Sequence, residues 1–130
     1  MLTIKEVASR VGESEHTIRY YCKIGLFPFL VRDKNNVRKF TDEDLEGVRI
    51  VLCLRDTGMP LAEIKRYMQL CAKGPSTIRE RLDIIRSQKE NAYRQLSQFQ
   101  KRLEHLEWKE QHYVELIETG GKDDCNPLEQ

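Results

Sequence analysis

The chain has 130 residues, a third of them charged, few glycines and prolines, and a formal net charge of +1. That length gives room for one compact domain and some additional structure, and the balance suits a helix-rich protein rather than a sheet sandwich or a disordered chain. No apolar run is long enough to span a bilayer, and Met1 to Glu6 lacks a basic segment leading into an apolar stretch, so a cytoplasmic protein with no membrane partner is expected, its thiols reduced.

Near-neutrality conceals an asymmetry. Residues 10–40 hold seven basic side chains against three acidic ones, and the acidic cluster Asp42, Glu43, Asp44 and Glu46 follows. Local positive charge of this kind is what a phosphate-binding surface needs, although charge alone does not separate such a surface from a solvated one.

In chain order, Thr3 and Glu6 have the spacing of a capping box. A short helix is predicted from there to about Val11, burying Ile4, Val7, Ala8 and Val11 and ended by Gly12. Ser14 then caps a second helix, Glu15 to about Ile24, which Gly25 stops. Two short helices around a tight Gly-containing turn match a helix-turn-helix. Between 26 and 40, apolar and β-branched residues flank the turn Asp33-Lys34-Asn35-Asn36, which predicts a small hairpin. Thr41 and Asp44 repeat the capping pattern for a third helix to about Asp56. Thr57 to Met59 break the chain, and Pro60 opens a fourth helix with Leu61, Ile64, Tyr67, Met68 and Cys71 on its buried side. Lys73-Gly74-Pro75 reads as a hinge.

The last region repeats apolar residues at Ile78, Leu82, Ile85, Ala92, Leu96, Phe99, Leu103, Leu106, Tyr113 and Ile117, with Lys89 and Glu110 filling the two remaining positions of the seam. Steps alternating four and three over more than five heptads predict a coiled coil, on a helix roughly 60 Å long. A head of this size cannot cover the whole seam, so a second copy of the chain is expected. Parallel and antiparallel pairing both stay open.

Three stretches, Leu2 to Ala8, Thr17 to Leu26 and Asn36 to Thr41, together with Arg55 to Ile64, resemble the MerR family of bacterial regulators, and the long terminal helix agrees in position. The resemblance implies a mainly α protein. Residues 1–73 would be a winged helix-turn-helix DNA-binding domain, 76–118 a coiled-coil dimerisation helix, and 119–130 a flexible acidic tail. It also implies a homodimer on double-stranded promoter DNA that activates by distorting the DNA, so that RNA polymerase is affected indirectly. DNA contacts then fall on Thr3, Ser14, His16, Thr17, Arg19, Tyr20, Arg38 and Lys39. Ile18, Tyr21 and Ile24 face the head's own core. Arg19 has two readings, a bidentate contact to a guanine edge or a phosphate clamp. Arg38 matches the family's wing arginine, but Asn36-Val37 stands where relatives commonly have Gly-Tyr, so an aromatic wing contact is not implied.

Of the four cysteines, Cys22, Cys53, Cys71 and Cys125, none forms a C-x-x-C pair, and His16, His105 and His112 do not have zinc-site spacing with them. Metal-sensing relatives carry two cysteines in the loop after the long helix, where this chain has only Cys125, so no metal site is expected. The stretch Val51 to Met59 is similar to a small branch of the family that answers aldehydes and other thiol-reactive stress through one cysteine. That likeness makes Cys53 the sensor thiol, with a small buried hydrophobe as the alternative. Cys22, beside Arg19 and Lys23, is a secondary candidate, and Cys71 is most simply core packing. No paired carboxylates, nucleophile–base set or phosphate-cradling loop suggests an enzyme, so neither catalytic residues nor a cofactor are expected. A metal-responsive regulator and a protein-binding coiled-coil adaptor are the competing functions.

Overall fold

Residues 1–31 and 39–129 are described in a computed structural model. Among the described residues five α-helices follow in order: α1 Ile4–Val11, α2 Glu15–Lys23, α3 Asp42–Asp56, α4 Leu61–Lys73 and α5 Ile78–Thr119, with a 3-10 turn Pro75–Thr77 before the last. The starts of α1, α2 and α3 lie at capping residues. Thr3 Oγ1 accepts from the Glu6 N–H while the Glu6 carboxylate accepts from the Thr3 N–H, and Thr41 and Asp44 repeat the exchange at α3. Ser14 Oγ accepts from the Thr17 N–H at the start of α2. Each of these bonds satisfies an amide that the helix itself leaves without a partner. Gly12, at φ 73°, ends α1 in the left-handed conformation that a side chain would oppose.

Two compact units, 1–90 and 91–130, make up the chain. In the first, α1 to α4 enclose a core in which Val7, Ile18, Leu26, Phe40, Val48, Val51 and Ile64 are fully buried. Phe27 meets Tyr21 and Phe40 edge-on, with centroids 6.4 and 6.2 Å apart. Ile4 and Val11 are half-buried against this core, as are Leu61, Tyr67 and Cys22. The inward face of α4 is Ile64 and Met68, as its spacing predicts, with Leu70 buried as well.

The hairpin predicted across residues 26–40 has its turn, and Arg38, within 32–38, outside the described residues. Among the described residues, Phe40 pairs with Leu2 in an isolated antiparallel bridge, the two exchanging N–H···O bonds of 2.6 and 3.0 Å. Leu26 and Phe27 enter the core from the turn after α2.

The opening turns of α5 belong to the first unit and use a different face from the predicted seam. Ile84 is buried in the core, and Gln88 Nε2 donates 2.9 Å to the Thr57 carbonyl and 3.2 Å to its hydroxyl oxygen. Thr77 Oγ1 donates to the Leu70 carbonyl at 2.7 Å, and Arg81 donates to Thr77 Oγ1 and to the Gly74 carbonyl. These contacts satisfy carbonyls at the end of α4. The seam itself faces outward: Ile78, Leu82, Ile85, Leu96, Phe99, Leu103, Leu106, Tyr113 and Ile117 are all exposed, Phe99 at 65% and Ile117 at 83%. In the second unit α5 ends at Thr119, where Gly120 at φ 66° returns its N–H to Leu116.

Candidate nucleic-acid interface and thiol site

Helix α2 divides into two faces. Ile18 and Tyr21 are buried, and Ile24 just beyond the helix is half-buried, while His16, Arg19 and Tyr20 are exposed. A three- and four-residue rhythm of apolar side chains fixes that division, because those positions share one side of a helix. Arg19 donates 3.0 Å to Glu15 one turn earlier, an exposed pair with the carboxylate on the N-terminal side. The hydroxyls of Ser14 and Thr17 are 2.9 Å apart at the helix start, and Thr3 occupies the corresponding place on α1. Thr3 and Ser14 are exposed and Thr17 is half-buried. Lys39 is half-buried at the edge of the described residues, and Arg38 lies outside them.

One residue that fixes this arrangement was not singled out by sequence reasoning. Arg55, near the end of α3, donates 2.5 Å to Glu13 in the α1–α2 turn, 3.4 Å to the Tyr21 hydroxyl and 2.8 Å to Asp56. These bonds, Glu13 foremost, raise the guanidinium above its already high ordinary pKa. The side chains of Arg55 and Glu13 are about three-quarters removed from solvent, so the pair locks the turn between the two short helices to α3. Long-range pairing of this kind leaves no periodic trace in a sequence.

Cys53 sits on α3 and is exposed, so it does not act as a small buried hydrophobe within the chain. It borders an open cleft of about 520 Å³ lined by Arg10, Arg49, Leu52, Asp56 and Thr57. Arg49 pairs with Glu46 at 2.7 Å, and Arg10 approaches Asp42 at 3.9 Å. Cys22 packs against the core. Cys71 is half-buried, 4.0 Å from Arg81 Nη1 and beside Tyr67. Burial, first of all, and the neighbouring Cys71 raise the Tyr67 pKa. Cys125 is exposed, and no disulfide links any of the four. No helix of the described residues is long and apolar enough to cross a membrane.

Two capped helices around a glycine turn, the second presenting a polar face, define a helix-turn-helix protein, here joined to a long C-terminal helix. Residues 2–71 match the MerR HTH family regulatory protein profile. An HTH-type transcriptional regulator of Haemophilus influenzae, itself uncharacterised, is 38% identical over 118 residues, 91% of this chain and 87% of that protein. The regulator AdhR of Bacillus subtilis is 27% identical over 68% of this chain and 64% of its own length. Among solved structures, HiNmlR, a MerR family regulator lacking the sensor domain, bound to promoter DNA, superposes with a TM-score of 0.80 at 36% identity, covering 92% of this chain and 94% of that one. The chain belongs to the MerR family and is a DNA-binding transcriptional regulator rather than an enzyme.

Proposed function

We propose that the protein works as a homodimer on promoter DNA, read through α2, and that a thiol-reactive electrophile such as an aldehyde switches it at Cys53. The exposed face of α2 carries the DNA reading: His16, Arg19 and Tyr20 stand out from a helix whose opposite side is anchored in the core. Arg19 exchanges Glu15 for a guanine edge or a phosphate; Thr3, Ser14, Thr17 and Tyr20 contact phosphates at the helix starts and beside them. Arg38 and Lys39 grip the backbone from the segment between α2 and α3, as the family resemblance implies. The neighbour HiNmlR is bound to promoter DNA, which supports this reading. Two heads fixed by paired α5 helices bend and untwist the site between them, so RNA polymerase is affected through promoter geometry.

Cys53 combines an exposed thiol with an adjoining cleft large enough for a small electrophile. The thiolate adds to an aldehyde carbonyl carbon, and the former carbonyl oxygen takes up the thiol's proton, giving a hemithioacetal with nothing else consumed. A path to α5 begins at the same turn. The Cys53 carbonyl accepts from the Thr57 N–H at 3.2 Å, and the Thr57 carbonyl accepts from Gln88 of α5. Added bulk beside a packed junction shifts the elements it joins instead of being absorbed locally.

Two experiments test the two parts. In gel shifts over a range of salt concentrations, Arg19→Ala lowers operator affinity by about 1–3 kcal/mol and relaxes selectivity at one position per half-site if it reads a base. Arg38→Ala weakens all sequences alike and flattens the salt slope by about one. No loss for either variant removes the head from DNA. In a promoter reporter, Cys53→Ala keeps DNA binding and loses induction by electrophile, whereas substitutions of Cys22, Cys71 and Cys125 retain most of it. An unchanged response in Cys53→Ala refutes the switch.

A further inference from the structure

We propose that the cleft beside Cys53 selects small carbonyl electrophiles that carry an anionic group, a carboxylate above all, through Arg10 and Arg49; this rests on the reading of Cys53 as the switch. The exposed thiol borders an open cleft of about 520 Å³, and two guanidinium groups line it from two elements, Arg10 of α1 and Arg49 of α3. Arg49 precedes Cys53 by four residues, so the two share a face of α3 one turn, or about 5.4 Å, apart. With its reactive carbon at the sulfur, a short molecule reaches the guanidinium with its carboxylate, and the guanidinium can donate to both carboxylate oxygens. Val11 and Leu52 supply an apolar wall for the carbon chain between them.

Charge around the cleft favours an anion over a neutral molecule. Asp56 also lines it, but Asp56 Oδ1 accepts from Arg55 Nε and Nη2 at 3.1 and 2.8 Å, so its charge is already offset. Glu46 holds Arg49 at 2.7 Å, and Asp42 stands 3.9 Å from Arg10. Both carboxylates lie outside the lining, their side chains 70% and 90% exposed. Exposed pairs of this kind add little stability, so a ligand carboxylate replaces either partner at small cost. With an aldehyde the covalent step is the addition described above. The sulfur electron pair forms the new S–C bond, the carbonyl π pair moves to its oxygen, and that oxygen takes up the thiol's proton. The anionic group is unchanged and stays with the arginines. Because Arg10 belongs to the helix-turn-helix and Cys53 to α3, an adduct held at both ends ties α1 to α3 and draws Arg10 away from Asp42. A neutral electrophile of the same size reaches the thiol without that second hold.

Labelling of the reduced full-length chain with 3-maleimidopropanoate and with 3-maleimidopropanamide, followed at each cysteine by peptide mass spectrometry, reads the selection directly. The two reagents share the reacting double bond, to which the thiol adds with nothing else consumed, and differ in charge. Dividing one rate by the other cancels the ionisation and exposure of the thiol. The ratio of acid to amide at Cys53 is expected to exceed that of free N-acetylcysteine amide by at least about fivefold and to fall with salt. Cys125, beside Asp123 and Asp124, shows no such excess. Arg49→Gln and Arg10→Gln each lower the Cys53 ratio, Arg49→Lys keeps part of it, and Glu46→Gln, which removes a competing carboxylate, raises it. Circular dichroism confirms that each variant is helical. A Cys53 ratio equal to that of the free thiol, or one unchanged in both glutamine variants of the arginines, overturns the proposal and leaves the switch to stand on the Cys53→Ala reporter. A wild-type reporter response in Cys53→Ala overturns the switch whatever the labelling ratio, and labelling of Cys53 by neither reagent overturns both.

Discussion

Gly47 lies in the middle of α3, where alanine is ordinarily preferred by about 1 kcal/mol. A Cβ added there stands 2.7 Å from two carbons of the Phe29 ring, which itself packs 5.8 Å from Phe27. Overpacking of that severity costs about 1–3 kcal/mol, so the steric loss exceeds the helical gain. Gly47→Ala is therefore expected to lower the urea midpoint, and Phe29→Leu in the same chain to restore part of it. A midpoint that rises in the single variant contradicts the packing argument. Arg55 is the other residue whose importance lies in tertiary contact. Its charge is visible in the sequence, but not that Glu13 and Tyr21 would converge on it.

At the scale of elements, the helices were legible because caps and periodicity are local. Thr3, Ser14 and Thr41 mark three helix starts, and Ile18 and Tyr21 mark the inner side of α2. What stayed hidden is that α5 serves two partners with two faces. The strong apolar repeat drew attention to Ile78, Leu82 and Ile85, while Thr77, Arg81, Ile84 and Gln88 interleave with them and hold the head. A polar residue such as Gln88 gives no burial signal until its acceptor, Thr57, is known. The contact of His112 Nε2 with Asp123 Oδ1, 2.8 Å long and made beyond the end of α5, was hidden for a similar reason, since turn geometry beyond a helix end leaves no periodic pattern. The link between α5 and the head predicts a phenotype. Gln88→Leu keeps the volume and removes both bonds to Thr57, so DNA binding is retained and the electrophile response in the reporter falls. A response equal to wild type shows that the α3–α5 link carries no signal.

For the whole molecule, the exposed apolar repeat along α5 predicts that a second chain covers it. Sedimentation at micromolar concentration is expected to give twice the chain mass, and Leu96→Asp to halve it and abolish operator binding. A tight full-operator complex formed by a monomer excludes this assembly. The two polar positions of the seam, Lys89 and Glu110, have a consequence for partner choice. A parallel pair would set Lys89 against Lys89 and Glu110 against Glu110, and an antiparallel pair would separate these like charges. Like charges brought together across a seam are disfavoured and opposite charges favoured, so exchanging these charges sets which chains pair. Lys89→Glu and Glu110→Lys then form two chains that each repel themselves and accept one another. Mixed, they yield a heterodimer in which one head can be altered while its twin is left intact, so the contribution of a single half-site becomes measurable.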